Sequence, residues 1–240
     1  MKKDFLEGVR DGMPICLGYF SVSMAFGITA VLAGLPLWAA VLTSLTNVTS
    51  AGQFAGVQVL IAGGSMLELA FTQLTINMRY FLMSLSVSQK VRQDMTLGQR
   101  MGVSFGITDE IFAVSMQRKQ ELSPAYMAGL IVAPVLGWTG GTLLGGAATS
   151  VMPEILANAM GIALYGMFIA IIVPPARENA KVLVAIVGAI LASVAFSYLP
   201  GLNLLSDGWS IIMITILISA LAAFFFPVDE QEEADREVQA

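Results

Sequence analysis

The chain has 240 residues, 56% of them apolar and only 12% charged, where a soluble domain carries roughly a quarter charged residues. The net charge of −5 is uneven, because six of the 17 acids fall in the terminal run Asp229–Glu237. No histidine, one cysteine and no glycine-rich phosphate loop are present; this excludes histidine-based hydrolysis, an HExxH metalloprotease, haem ligation by His, a P-loop ATPase and an internal disulfide, and no basic patch points to nucleic acid.

Runs of about 20 apolar residues cross a bilayer. Here they fall at about 12–34, 38–62, 66–87, 102–117, 124–148, 153–173, 182–200 and 208–227. The expected class is an all-α polytopic helical membrane protein with six to eight transmembrane segments. Residues 1–11 read as a cytoplasmic N-terminus, 12–227 as a single transmembrane transporter domain, and 228–240 as an acidic, disordered cytoplasmic tail. The first run exceeds a signal-peptide core and lacks a small-x-small cleavage site, so a retained helix is expected. Cys16 within it reads as a small packed hydrophobe.

Two segments depart from plain spanning helices. In 38–62 the middle, Thr43 to Gly56, is rich in hydroxyls, amides and glycine. Asn47, Gln53 and Gln58 there either bind a solute or hydrogen-bond between helices. The sequon Asn47-Val-Thr49 lies too deep for glycosylation. Segment 102–117 is short, about 24 Å as a helix, and carries Thr108-Asp109-Glu110. Between them, Glu68, Thr72, Thr75 and Arg79 share one helical stripe, with Gln73 and Asn77 on an adjacent one, and that face should look into the protein. Glu68 reads as a helix-terminal residue at the interface.

Ionisable groups at membrane depth are costly enough to need a reason. Arg79 either snorkels to the nearby edge, holds a substrate carboxylate or neutralises Asp109. Asp109 and Glu110 point about 100° apart on a helix, so one suits an ammonium or a proton while the other pairs with Arg79. Thr108-Asp109-Glu110 also has the pattern of a helix N-terminus. Glycines four apart, at 137, 141 and 145, at 52 and 56, and at 98, 102 and 106, suit close helix packing.

Lys and Arg gather at the N-terminus, in the 88–101 loop, at Arg118-Lys119 and in the 174–181 loop. Cytoplasmic loops concentrate these residues, yet eight ordinary spans would put the 88–101 loop outside. Broken or re-entrant segments near 38–62 and 102–117 remove the conflict and leave six full spans. Either arrangement places both termini in the cytoplasm. Phe26-Gly-Ile-Thr29 recurs as Phe105-Gly-Ile-Thr108, a candidate inverted repeat.

Ala51-Gly-Gln-Phe54, Asn77-Met-Arg-Tyr80, Phe105-Gly-Ile-Thr-Asp-Glu-Ile-Phe-Ala113 and Gly137-Trp-Thr-Gly-Gly-Thr142 occur in an order and spacing that resemble the AzlC-type branched-chain amino acid permeases, over roughly residues 8 to 175. In that family a His commonly follows the Arg; this chain has Tyr80, so no role of that His carries over. The resemblance implies a non-enzymatic exporter of valine, leucine, isoleucine or another hydrophobic amino acid such as methionine. It would sit in the cytoplasmic membrane of a bacterium, ion-gradient driven, with a small AzlD-type membrane subunit and no cofactor or metal. Arg79 and Asn77 would meet the carboxylate, and Asp109 the ammonium or a coupling proton, with Glu110, Gln53, Asn47 and Thr108 as further candidates. The alternatives are a transporter or channel for another small solute, a scaffold subunit, or an enzyme using Asp109 and Glu110 as acid and base.

Overall fold

A computed structural model describes residues 2–150, 169, 172–199 and 205–227, and their regular structure is helical apart from one isolated bridge, Val91 to Leu122. The expected span at 153–173 and the acidic tail lie almost wholly outside those residues. The chain forms two compact units, residues 1–57 with 76–167, and residues 58–75 with 168–240.

In the first unit the longest element is α1, Lys2–Leu32. At 1.5 Å per residue it reaches about 46 Å, so residues 2–11 are its opening turns. α7, Pro124–Ala148, starts from a Ser123 cap with proline in its first turn and packs along α1. The two run parallel: Gly12 faces Leu130, Gly137 faces Cys16, Gly141 faces Phe20 and Gly145 faces Met24. A Cβ at Gly12 would stand 2.8 Å from the Leu130 carbonyl oxygen, and one at Gly137 would stand 2.5 Å from that of Cys16. The glycine ridge is therefore the surface on which α1 lies.

Both irregular segments are broken. α2, Leu37–Thr46, ends at Asn47 in extended backbone, and α3, Ala51–Ile61, begins beyond Ser50. Ser50 has φ 49°, a left-handed conformation uncommon for a residue with a side chain. α2 enters from the end where α1 finishes, since Leu37 lies at Gly146 and Ser44 lies deeper, at Thr142. Gln53 sits at Trp138, and Phe54 then stacks edge-on to Phe26, so α3 turns back toward the end it came from.

α4, Met66–Lys90, contributes its later half to this unit and ends where α1 begins. The Arg92 N–H donates to Leu122 O, and Asp4 accepts from Ser123 at the same end. From there α5, Leu97–Phe105, climbs behind a Thr96 capping box. After Gly106 and Ile107 the chain reverses into α6, Asp109–Gln117. Lys90 Nζ donates to Met116 O at 2.5 Å and Arg118 binds Glu7 at 2.9 Å, so α6 returns to the end α5 left. Two re-entrant pairs thus enter from opposite ends and meet midway.

This arrangement, a long helix followed by a half-helix pair, occurs twice in opposite sense. The Phe-Gly-Ile-Thr recurrence does not align with it, because residues 26–29 lie inside α1 whereas 105–108 form the second break. Lys2, Lys3, Arg10, Lys90, Arg92, Arg100, Arg118 and Lys119 all sit at or near the end where α1 begins, here termed the proximal end.

In the second unit, α8, Ala180–Tyr198, and α9, Asp207–Phe225, are predominantly apolar. α8 has no buried residue, which suits a helix in lipid. Glu68 is 4% exposed in the first turn of α4 and accepts a hydrogen bond from Ser206 at the start of α9. It is a helix-terminal residue as expected, though packed in protein. Among the described residues, four helices, Lys2–Leu32, Pro124–Ala148, Ala180–Tyr198 and Gly208–Phe225, are long and apolar enough to span.

Candidate functional site

The second break is shaped by local chemistry. Thr108 caps α6, its Oγ1 accepting from the Ile111 N–H at 3.4 Å, which places Asp109 and Glu110 in the first turn, where acids complement the helix dipole. Gly106 lies against Ile131 of α7, and a Cβ there would collide with that side chain. Both carboxylates are exposed, and they point to different partners, as their spacing requires.

Asp109 Oδ2 lies 2.9 Å from Arg79 Nη1, and both side chains are about half exposed, at 49% and 48%. The Arg79 guanidinium lies 5.1 Å from the centre of the Tyr80 ring and donates to its hydroxyl at 3.4 Å. Of the alternatives for Arg79, the pairing with Asp109 is the one the structure contains. Glu110 instead accepts a hydrogen bond from the Tyr19 hydroxyl, which also lies 2.7 Å from Thr108 Oγ1.

A cavity of about 100 Å³ occupies the meeting point of the two breaks. Thr46, Asn47 and Thr49 of the first break, Ser104 and Thr108 of the second, and Tyr80 of α4 supply its polar wall. Thr49 Oγ1 is a buried atom with no partner among the described residues. An orphaned hydroxyl oxygen in a cavity wall is a place where a ligand or water atom belongs.

Gln53 is not part of that wall. It is 2% exposed, accepts from Trp138 Nε1 at 2.7 Å and donates to Ser44 Oγ at 3.0 Å. Ser44 in turn lies 2.7 Å from Thr142 Oγ1. This is the interhelical network that the composition offered as the alternative. Asn77 is half-buried on α4, outside the cavity lining. The structure therefore brings Asn47 and Thr108 to the cavity, pairs Arg79 with Asp109 beside it, ties Glu110 to α1, and assigns Gln53 to packing.

Four residues at or beside the site were not singled out from sequence as such: Tyr19, Thr49, Ser104 and Tyr80. Tyr19 packs edge-on to Trp138 at 5.3 Å, so it joins the Gln53 network to the second break. A tyrosine in the middle of an apolar run was the available signal, since its hydroxyl needs a partner when buried.

Fold and site together define a polytopic helical membrane protein with two opposed re-entrant helix pairs and a hydroxyl-lined cavity between their breaks, beside an ion pair. The sequence profile of the AzlC protein family matches residues 14–152. The chain belongs to that family. Similar proteins include the inner membrane protein YgaZ of Escherichia coli (strain K12), 28% identical over 203 residues, covering 80% of this chain and 82% of that protein. An uncharacterized membrane protein of Archaeoglobus fulgidus is 29% identical over 172 residues, covering 71% of this chain and 75% of its own. No solved structure gives a significant match.

Proposed function

We propose that this protein is a secondary transporter that exports branched-chain or other hydrophobic amino acids from the cytoplasm. The observation that carries the reading is the Arg79–Asp109 pair beside a cavity between two broken segments. A zwitterion brings one charge of each sign. Its carboxylate replaces Asp109 at Arg79 while its ammonium replaces Arg79 at Asp109, so binding leaves neither charge without a partner of opposite sign. Half-exposed partners can be exchanged in this way at small cost, because such a pair is worth only about 0–1 kcal/mol by itself.

Hydroxyls of Thr46, Thr49, Ser104 and Thr108 supply uncharged hydrogen bonds around the substrate backbone, and Val48, Phe105 and Ile107 supply apolar wall for its side chain. Family membership supports branched-chain substrates and a small AzlD-type membrane subunit. The concentration of Lys and Arg at the proximal end supports a cytoplasmic location for that end and for the N-terminus.

The test loads cells with a leucine-containing dipeptide and follows internal leucine, with and without this protein and its small subunit. Faster loss of leucine with both present supports the proposal. Equal loss in both strains rejects leucine as substrate.

A further inference from the structure

The cavity at the breaks has a neighbour on its proximal side. A second cavity, of about 60 Å³, adjoins it, and Ser104 and Ile107 stand in the walls of both. Its other walls include Ser84 and Ser88 of α4, and Arg100 and Val103 of α5. The polar positions advance in steps of four on each side: Tyr80, Ser84 and Ser88 along α4, and Arg100, Ser104 and Thr108 along α5 and its break. Residues four apart share one helix face, so a hydroxyl-bearing face of each element lines the two cavities, and the space between these faces is here termed the seam. Leu82 and Leu85 of α4 point elsewhere and are exposed.

Arg100 closes this seam at the proximal end. Its Nε donates to Met95 O at 3.2 Å, which fixes the half-buried guanidinium in the wall. The other arginines of this unit each have a carboxylate: Arg10 with Asp11, Arg79 with Asp109, Arg92 with Asp94 and Arg118 with Glu7. Arg100 has none among the described residues. A partly desolvated cation without a counter-charge is a site for an anion.

We propose that the α4–α5 seam is the proximal route to the central cavity and that Arg100 at its mouth receives the carboxylate of the substrate. The route rests on geometry alone, whereas the role of Arg100 rests on the reading of the protein as an amino acid exporter. The carboxylate passes from Arg100 to Arg79 with the hydroxyls of Ser88, Ser84 and Ser104 replacing water between them. Val87, Val103 and Ile107 face the apolar side chain.

In a Cys16→Ser background, Ser84→Cys, Ser88→Cys and Ser104→Cys are treated in proteoliposomes with a charged, membrane-impermeant methanethiosulfonate, with Leu85→Cys as the control. Labelling of the three seam positions well above Leu85→Cys, slowed by leucine, is the expected result. Labelling no faster than at Leu85→Cys overturns the route, whether or not the protein transports. Fast labelling that leucine does not slow, in protein that exports no leucine, upholds the route and overturns the amino acid reading. For the mouth, Arg100→Gln should raise KM about tenfold with kcat little changed, the pattern of a lost binding contact, and Arg100→Lys should restore part of it. An unchanged KM in Arg100→Gln overturns the role of Arg100.

Discussion

Asp109 and Glu110 are chain neighbours with different roles, and the difference begins at Thr108. Because Thr108 caps α6, both acids stand in its first turn, one facing Arg79 on α4 and the other Tyr19 on α1. Asp109→Asn should still insert and accumulate, since a half-exposed ion pair contributes at most about 1 kcal/mol to folding. If Asp109 holds the ammonium as proposed, leucine export should nevertheless fall more than about tenfold, the loss of a charged partner worth about 1.5–3 kcal/mol. Export at the wild-type rate from a normally expressed Asp109→Asn would remove this residue from the site. Gln53→Leu should behave in the opposite way. It leaves Trp138 Nε1 buried without its acceptor, a cost of about 1–3 kcal/mol. A lower melting temperature in detergent is expected, with export per folded molecule preserved.

At the scale of elements, the candidate site is built where two helix pairs break midway. Thr108→Val should cost about 1 kcal/mol by removing the α6 cap, and it also strips the Tyr19 hydroxyl of a partner; the melting temperature and export should both fall. Gly137→Leu should prevent stable accumulation, because any side chain there drives into the Cys16 backbone of α1; normal yield would contradict the parallel packing of α1 and α7. Both breaks were legible in the sequence: Thr43 to Gly56 was too polar for lipid, and 102–117 was too short and too charged. The cap at Thr108 was legible too, because it is local. The partnership of Tyr19 with Glu110 was not, since the two are 91 residues apart and meet only because α1 runs past the second break. Gln53 gave no sign of whether it faced a cavity or a neighbouring indole, because an amide suits both.

For the molecule as a whole, opposed re-entrant pairs explain how the loops around Lys90–Arg100 and Arg118 share an end with the N-terminus. In a Cys16→Ser background, Gln93→Cys should react with an impermeant thiol reagent only from the cytoplasmic side, and Leu35→Cys only from the outside. Outside labelling of Gln93→Cys would restore eight ordinary spans and undo the meeting of the two breaks. The charge pattern of the sequence already required this topology or a violation of the positive-inside trend. What it could not supply was the depth at which Arg79 and Asp109 meet.

The most direct test of the central claim is competition for labelled leucine binding to the purified protein with its small subunit, using leucine, 4-methylpentanoate and 3-methylbutylamine as competitors. If Arg79 and Asp109 each take one charge of a zwitterion, leucine competes and both single-charge analogues are weaker by about tenfold or more, the loss of one charge-assisted hydrogen bond. An analogue lacking either charge that competes as well as leucine would contradict the account.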